Sequence, residues 1–353
     1  MLQTSLIGPE GTGKSSLYRL LSGEEPRETM LTESFSPPTA MLELPDARLD
    51  ALAAMLPGRK VVQLVVELFD FPGFGKGTPV RLLNRLLPHV RQSDLLVVVV
   101  RAGANAEATA AAYRAFRDEL VLLDYATAEN ALANLRSKLK AVRKPEEDPR
   151  YRLLARVVEL LEAGGSLYAE LAPADKEELK DLALLTLKPT LAVVNLGEEE
   201  YADTGLRAAV CRRVGESAGV TACHALPVAL AAELSELPED ERAEFRQLYG
   251  IEGPLLPPLQ KALLTALDHI AFFTFNEKEL RAWSVPAGST AVQAAGVIHS
   301  DLARGFIRAE VIGAEELASL GSMEAAKSMG KLRSEGKEYR IQDGEVMLVR
   351  FSV

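Results

Sequence analysis

Cysteine is scarce in this sequence, because Cys211 and Cys223 are the only two among 353 residues. Two cysteines cannot provide the disulfide framework of a secreted domain, so the composition favours a reducing compartment. Long apolar runs are also missing, since the longest aliphatic run, Leu95–Val100, is far shorter than the roughly 20 residues that span a bilayer. No signal peptide is readable, and we therefore expect a cytoplasmic protein that is not embedded in a membrane.

An excess of positive charge is lacking as well. The chain has 40 Lys and Arg against 50 Asp and Glu, which gives a net charge of −10. This balance excludes a protein that coats nucleic acid by bulk electrostatics, although a local basic patch stays possible. Hydrophobic residues make up 48% of the chain, enough for a packed core. The length predicts two to three domains, at roughly 150 residues each.

A glycine-rich stretch follows a short predicted strand at residues 2–7. Residues 8–16 read GPEGTGKSS, which fits the pattern G-x-x-x-x-G-K-[ST], and a helix-forming segment comes next. Strand, glycine loop and helix in this order indicate a phosphate-binding loop, because glycines let backbone N–H groups approach a polyphosphate. We predict that the phosphates are bound by Gly8, Gly11, Thr12, Gly13, Lys14, Ser15 and Ser16.

The charged and hydroxyl side chains of this region have specific predicted roles. Lys14 would reach the β and γ phosphates, and the Ser15 hydroxyl would be a ligand of Mg²⁺. A β-rich stretch, Val61–Phe69, ends in the D-x-x-G sequence Asp70-Phe71-Pro72-Gly73. We predict that Asp70 holds Mg²⁺ through water and that the Gly73 N–H contacts the γ-phosphate. The candidate catalytic residues are Lys14, Asp70 and Gly73.

The residue after Gly73 is Phe74, where many GTPases have a glutamine that orients the attacking water. An apolar ring cannot orient water by hydrogen bonding. Hydrolysis must therefore use another group or be slow.

A buried-type strand, Leu191–Val194, leads into Asn195-Leu196-Gly197-Glu198. GTPases usually carry N-K-x-D in this place, and the aspartate accepts two hydrogen bonds from guanine. Leu196 replaces the lysine and Glu198 the aspartate, and the longer carboxylate reaches differently, so guanine selectivity is in doubt. We predict that Asn195, the Leu196 backbone and Glu198 contact the base. The alternative is an ordinary asparagine between a strand and an acidic surface loop.

These motifs resemble those of the YchF family, the Obg-like ATPases of the translation-factor class of P-loop GTPases. The resemblance runs nearly from end to end and is densest in the C-terminal part. The segments that carry it are 45–50 (PDARLD), 185–190 (LTLKPT) with 195–198 (NLGE), 293–301 (QAAGVIHSD), 304–310 (RGFIRAE), 335–339 (EGKEY) and 343–346 (DGEV).

The resemblance implies an α/β fold, with a P-loop NTPase domain of the Obg type, an inserted α-helical hairpin and a C-terminal α+β TGS domain. The family's N-x-x-E motif implies that ATP is bound in preference to GTP. Members are cytosolic ATPases that associate with ribosomes. Comparison with the family's switch I makes Ser34 a further Mg²⁺ ligand, with Thr32 as the alternative.

The sequence also departs from the family. Gly11 stands where the family usually has an asparagine, so a monovalent-cation role of that side chain cannot be carried over. The glycine-rich switch II is reduced to Gly75-Lys76-Gly77, and Val98 replaces a family histidine. These departures indicate a divergent member whose nucleotide binding is better preserved than its hydrolysis.

We predict four segments along the chain. The G domain occupies 1–125 and 188–271, a helical insertion occupies 126–187, and the TGS domain occupies 272–353. The insertion is predicted as an αα-hairpin, because apolar residues recur at helical spacing on both sides of the turn Pro145–Pro149. A projecting arm is favoured over a helix pair that packs on the G domain.

The arm is locally basic. From Arg136 to Arg156, eight basic residues and three acidic residues give a charge of +5. Such an arm suits contact with rRNA phosphates, and a solvated helical face is the alternative. Aromatic residues for base stacking are almost absent there, so recognition of a base sequence is not expected.

The leading prediction is a Mg²⁺-dependent P-loop ATPase that works as a conformational switch. It would be a monomer without a metal cluster, and it would contact the ribosome or rRNA through residues 136–156 and the TGS domain. One alternative is a GTPase of the same fold. Another is a nucleotide-binding scaffold with negligible hydrolysis, which Phe74 and the short switch II favour.

Overall fold

The computed structural model describes residues 2–25, 36–139 and 144–352. The chain divides into two units. The first unit contains Met1–Leu42 and Glu67–Ala266, and the second contains Glu43–Val66 and Leu267–Val353. In the described ranges, no helix has both the length and the apolar character needed to cross a membrane.

The secondary structure alternates strands and helices over most of the chain. The strands are β1 (Leu2–Ile7), β2 (Thr39–Leu44), β3 (Lys60–Val62), β4 (Leu64–Asp70), β5 (Leu95–Arg101), β6 (Thr190–Asn195), β7 (Val220–Leu226), β8 (His269–Phe275), β9 (Glu279–Pro286), β10 (Phe306–Gly313), β11 (Arg333–Glu335) and β12 (Glu345–Phe351). The α-helices are α1 (Lys14–Ser22), α2 (Ala47–Met55), α3 (Val80–Val90), α4 (Ala106–Leu139), α5 (Pro149–Glu162), α6 (Leu167–Glu170), α7 (Pro173–Glu178), α8 (Glu198–Ala202), α9 (Thr204–Gly215), α10 (Val228–Glu236), α11 (Glu239–Leu248), α12 (Leu256–Ala266), α13 (Ala291–Ile298), α14 (Ser300–Arg304), α15 (Ala314–Leu320) and α16 (Met323–Ser328).

The first unit is built on a six-stranded sheet in the order β2-β4-β1-β5-β6-β7. β1, β5, β6 and β7 are parallel neighbours, so their carboxyl ends lie at one edge. Residues 95–100 of β5, the longest aliphatic run of the chain, are all buried, as is typical of a strand covered on both faces. This α/β architecture confirms the predicted P-loop NTPase fold, in which ligands bind at the carboxyl edge of the sheet.

The β-rich stretch Val61–Phe69, predicted as one strand, is divided at Gln63. β4 joins the sheet of the first unit, whereas β3 pairs in parallel with β9 of the second unit. Residues 43–66 therefore belong to the second unit, although the sequence analysis assigned them to the first part of the G domain. The pairing of β3 with β9 joins segments far apart in the chain, and local sequence carries no signal for it.

The second unit has a six-stranded mixed sheet in the order β11-β10-β12-β8-β9-β3. One cluster packs α2 against this sheet, with Leu49 and Leu52 fully buried among residues that include Phe273 and Leu280. A second cluster packs α13, which begins with a capping box at Thr290 and Gln293. The predicted small α+β domain is therefore present, and α2 and β3 complete it.

The helical insertion consists of α4 and α5. The boundary predicted between residues 125 and 126 falls inside α4, which begins at Ala106. The Tyr125 hydroxyl donates to Glu162 at 2.9 Å, and Arg117 donates to the carbonyl of Gly164 at 3.1 Å, so the two helices run antiparallel. From residue 129 to 139, no side chain of α4 is buried. This distal part is an amphipathic hairpin, as predicted, and its apolar side chains pack towards α5.

A buried carboxylate fixes the base of this hairpin. Asp124 is fully buried and accepts hydrogen bonds from the backbone N–H groups of Leu185 (3.0 Å) and Thr186 (2.7 Å) and from the Thr186 hydroxyl (2.8 Å). The guanidinium of Arg91, which follows α3, lies 3.6 Å from the same carboxylate. Burial raises the pKa of Asp124, and these partners oppose that rise. The hairpin is thus tied to the segment that follows switch II and to the chain that enters β6.

The packing of α2 leads to a stability prediction. Leu52→Ala should destabilise the second unit by about 2–5 kcal/mol, because it opens a cavity at a fully buried site. Trp283, the single tryptophan of the chain, lies in β9 and reports the unfolding of this unit by fluorescence. Met329→Ala is the control, since this 62% exposed side chain in the same unit should cost no more than about 0.5 kcal/mol. An unchanged Trp283 transition in Leu52→Ala would contradict the placement of residues 43–66.

Candidate nucleotide-binding site

The loop between β1 and α1 has the backbone that phosphate binding requires. Gly8 and Gly13 have φ values of 145° and 92°, which side chains rarely tolerate. A Cβ atom at Gly8 would lie 2.3 Å from the Val99 carbonyl oxygen, and one at Gly13 would lie 2.4 Å from Nδ2 of Asn195. Glycine is therefore required at both positions, by the backbone and by the neighbouring strands. The loop ends where α1 begins, so the N-terminus of the helix contributes positive potential.

The ammonium group of Lys14 closes the loop on itself. Its side chain is buried, and Nζ donates to the carbonyl oxygen of Pro9 at 2.6 Å. The hydroxyl of Thr12 donates to the same carbonyl at 3.1 Å. Burial lowers the pKa of Lys14, while the charges of Asp70 and Glu10 act in the opposite direction. The cation is therefore held, partly desolvated, among the backbone groups that would receive phosphates.

Ser15 and Asp70, the two described residues predicted to hold Mg²⁺, meet across the site. The Ser15 hydroxyl donates to Oδ2 of Asp70 at 2.7 Å. Asp70 is 5% exposed, and its second oxygen, Oδ1, is buried without a hydrogen-bond partner among the described residues. Burial raises the pKa of Asp70, opposed by the Ser15 hydrogen bond and the Lys14 charge. A buried carboxylate with a vacant lone pair beside a hydroxyl fits the shell of a hydrated divalent cation. Ser16 is exposed on α1.

Asn195 performs a task that the sequence analysis did not anticipate. Its Nδ2 donates to the carbonyl oxygen of Thr12 at 3.0 Å, and its Oδ1 accepts from the backbone N–H of Val228 at 3.2 Å. The side chain thereby bridges the phosphate loop and the segment that follows β7. Asn195 ends β6, and the parallel register of the strands brings it next to the loop.

The other two predicted base contacts differ in their surroundings. The side chain of Leu196 is 3% exposed and packs in the core of the first unit, and its N–H donates to the Leu226 carbonyl at 3.1 Å. Glu198 begins α8 and is exposed, so its carboxylate is accessible to a ligand. Ser34 and its alternative, Thr32, lie outside the described residues, as do Lys140 and Arg143 of the basic arm.

A cavity of about 510 Å³ lies beside the phosphate loop. It is lined by Pro9, Glu10, Gly73, Phe74, Gly75, Lys76, Gly77, Thr78, Pro79, Leu82, Ala112, Ala115, Phe116 and Glu119. Gly73 lies so close to the loop that a Cβ on it would be 2.6 Å from the backbone nitrogen of Glu10. The D-x-x-G segment therefore contacts the phosphate loop directly. Glu10 was not singled out from the sequence, although an acidic residue at a variable loop position was the available signal.

Three known proteins are similar to this chain over nearly its whole length. The chain is similar to the protein named ribosome-binding ATPase YchF of Haemophilus influenzae, with 34% identity over 99% of this chain and 98% of the relative. It is similar to the protein of the same name from Bacillus subtilis, with 33% identity over the whole of both chains. The structure of the Schizosaccharomyces pombe YchF GTPase matches with a TM-score of 0.80 at 26% identity, covering 99% of this chain and 97% of that one.

The C-terminal part is matched separately. Residues 269–352 fit the family model YchF-GTPase_C, whose description is a protein of unknown function (DUF933). Since curated relatives more than 30% identical align over essentially the full length, the chain belongs to the YchF family.

Proposed function

We propose that this protein is a Mg²⁺-dependent P-loop ATPase that acts as a conformational switch on the ribosome in the cytoplasm. The observation that carries the proposal is the convergence at one sheet edge of Lys14, of the Ser15–Asp70 pair and of Asn195. These groups come from the phosphate loop, from the end of β4 and from the end of β6, and their chemistry is that expected of a nucleotide site. The names of the relatives, ribosome-binding ATPase, support the activity and the partner.

The phosphate end of the site follows from the chemistry of these groups. Backbone N–H groups of residues 8–16 would bind the phosphates, and Lys14 would exchange the Pro9 carbonyl for phosphate oxygens. Ser15 would ligate Mg²⁺ directly and Asp70 would hold it through water, with Ser34 as the proposed switch I ligand. The bound ion supplies neutralisation of the phosphate charge. The N–H of Gly73, beside the loop, would contact the γ-phosphate, so the conformation of switch II would depend on whether that phosphate is bound.

The base end supports ATP over GTP. Adenine lacks the ring N–H and amine pair that an aspartate accepts in GTPases, and Glu198 stands in place of that aspartate. Asn195 positions the segment, Leu196 offers its backbone carbonyl because its N–H is bonded to Leu226, and Glu198 is exposed at the start of α8. The alternative is that the same fold binds GTP. In that case every proposed phosphate contact would be the same.

The hairpin supports contact with rRNA. Arg150 and Arg156 lie near acidic partners, Asp181 and Asp175. Among the described residues, four exposed cations of the arm have no ion-pair partner: Arg136, Lys138, Lys144 and Arg152. Unpaired cations on an exposed hairpin are suited to the phosphates of a folded RNA. The C-terminal unit would provide the second contact of a monomeric protein.

Nucleotide preference is tested by calorimetric titration of ATP and GTP, each with Mg²⁺. We expect ATP to bind at least tenfold more tightly than GTP. Lys14→Ala should weaken ATP binding at least tenfold, because the phosphates lose their contact with the buried ammonium. Lys261→Ala removes an exposed lysine of α12 and should leave both affinities unchanged. Tighter binding of GTP would reject the adenine assignment, and unchanged binding by Lys14→Ala would reject the site.

Asp70→Asn separates stability from function. Burial raises the pKa of Asp70, so the charged carboxylate lowers the free energy of unfolding at neutral pH. This destabilisation disappears as the pH falls and the carboxyl takes up a proton. The variant should therefore unfold at a higher temperature than the wild type at pH 7.5, and this gain should shrink on acidification. Its Mg²⁺-dependent ATP affinity should fall at least tenfold.

The control for this prediction is Asp118→Asn, at a 68% exposed carboxylate on α4, which should change neither property. Melting is followed by circular dichroism at several pH values, and affinity by titration with and without Mg²⁺. An Asp70→Asn protein that is less stable at pH 7.5, or that binds ATP with full Mg²⁺ dependence, contradicts the assignment.

Ribosome association is tested by co-sedimentation at increasing salt. Replacing Arg136, Lys138, Lys144 and Arg152 by glutamine should weaken association about tenfold or more at moderate salt and flatten its salt dependence. A variant with Arg212 and Lys261 replaced by glutamine removes exposed cations from other helices and serves as the control. Equal losses in the two variants would show that the arm has no special role.

A further inference from the structure

The structure leaves one step of hydrolysis without an assigned group, namely the orientation of the attacking water. Phe74 occupies the position of the usual glutamine, and its side chain is 3% exposed. Its ring packs in the core of the first unit, with its centroid 5.2 Å from that of Phe116. Phe74 therefore lacks a hydrogen-bonding group and is also directed away from solvent.

A different side chain stands at the same junction. Glu10 belongs to the phosphate loop, and its backbone is in van der Waals contact with Gly73, the residue before Phe74. The backbone of this segment is joined to the loop, because the Phe74 N–H donates to the Gly8 carbonyl at 3.3 Å. Glu10 is exposed and lines the 510 Å³ cavity that extends from the loop along switch II. Its carboxylate is therefore free to enter the space next to the loop.

The remaining polar groups of the cavity are less suitable. The Thr78 hydroxyl accepts a hydrogen bond from the Gly75 N–H at 2.9 Å. Lys76 is a donor and cannot accept a proton from water in its charged form. Glu119 projects from α4, whereas Glu10 belongs to the phosphate loop, and the charge of Glu10 acts to raise the pKa of the Lys14 ammonium. Lys14 is expected to contact the β and γ phosphates. Glu10 is therefore the acid–base group of the cavity on the side of the expected γ-phosphate.

We propose that Glu10 orients the attacking water during ATP hydrolysis, as glutamine does in other P-loop enzymes, and also accepts the proton of that water. This assignment rests on the proposed ATPase function. The water oxygen forms a bond to the γ-phosphorus while the bond from that phosphorus to the β–γ bridging oxygen breaks. ADP leaves with the electron pair of the broken bond, and the proton of the water passes to the Glu10 carboxylate. The products are ADP and inorganic phosphate.

A carboxylate is suited to this role because it accepts hydrogen bonds and protons, whereas a glutamine only orients water. Its placement also carries a cost, since its negative charge faces the γ-phosphate. Lys14 would offset that repulsion, as would a Mg²⁺ ion held by Ser15 and Asp70. Glu10 thus differs from a residue that merely binds substrate, because its loss should affect turnover more than affinity.

The experiment compares the full-length wild type with Glu10→Gln, Glu10→Asp and Glu119→Gln. Steady-state phosphate release gives kcat and KM, and calorimetry with a non-hydrolysable ATP analogue and Mg²⁺ gives affinity. We expect Glu10→Gln to lower kcat about a hundredfold, within the range of general base catalysis, while the analogue binds within threefold of wild type. Glu10→Asp should recover at least tenfold of that loss, and Glu119→Gln should stay within threefold of wild type.

Analogue binding shows that each variant retains a folded site. Three results would overturn the assignment while the ATPase function stands: Glu10→Gln turns over within threefold of wild type, it turns over faster because repulsion was relieved, or Glu119→Gln loses as much activity. A wild type that binds ATP but releases no more phosphate than Lys14→Ala would overturn the hydrolysis proposal and the role of Glu10 together.

Discussion

The side-chain amide of Asn195 is the interaction on which the nucleotide site depends. It donates to the phosphate loop at Thr12 and accepts from the backbone at Val228, so one planar group sets the spacing between two loops. Asparagine has both a donor and an acceptor, whereas aspartate lacks the donor and leucine lacks both. A Cβ atom on Gly13 would lie only 2.4 Å from Nδ2 of this amide. The position of Asn195 on β6 therefore requires a glycine at position 13 of the loop. The geometry of the phosphate end and that of the base end are therefore not independent.

The site also holds two opposite charges in positions that water barely reaches. Burial disfavours the charged forms of Lys14 and of Asp70, and each charge partly relieves the other. Lys14 bonds to a carbonyl of its own loop, and one oxygen of Asp70 has no described partner. Such groups are poised for a ligand, because phosphate and a hydrated cation supply the partners that the protein withholds.

Local sequence predicted the parts of the site whose geometry is local. The phosphate loop could be recognised because its glycines, lysine and serine are consecutive, and Asp70 because it ends a β-rich stretch. The start of α4 at Ala106 was missed because its first turns are rich in alanine, which blurs the apolar periodicity even though Ala110 and Tyr113 are buried. The transfer of residues 43–66 to the second unit depends on pairing with β9, which no local pattern encodes. The bridging role of Asn195 depends likewise on distant strands.

The position of β3 has a consequence for the order in which the protein can fold during its synthesis. β3 and α2 leave the ribosome early, but their partners in β8 and β9 are made only near the end of the chain. Until then Leu49 and Leu52 have no Phe273 or Leu280 to pack against. The second unit is therefore complete only when its early segment and its C-terminal residues are both present. In a chain released before β9 is made, these two leucines would lack their packing partners. Exposed apolar surface of this kind makes incompletely folded chains prone to aggregation.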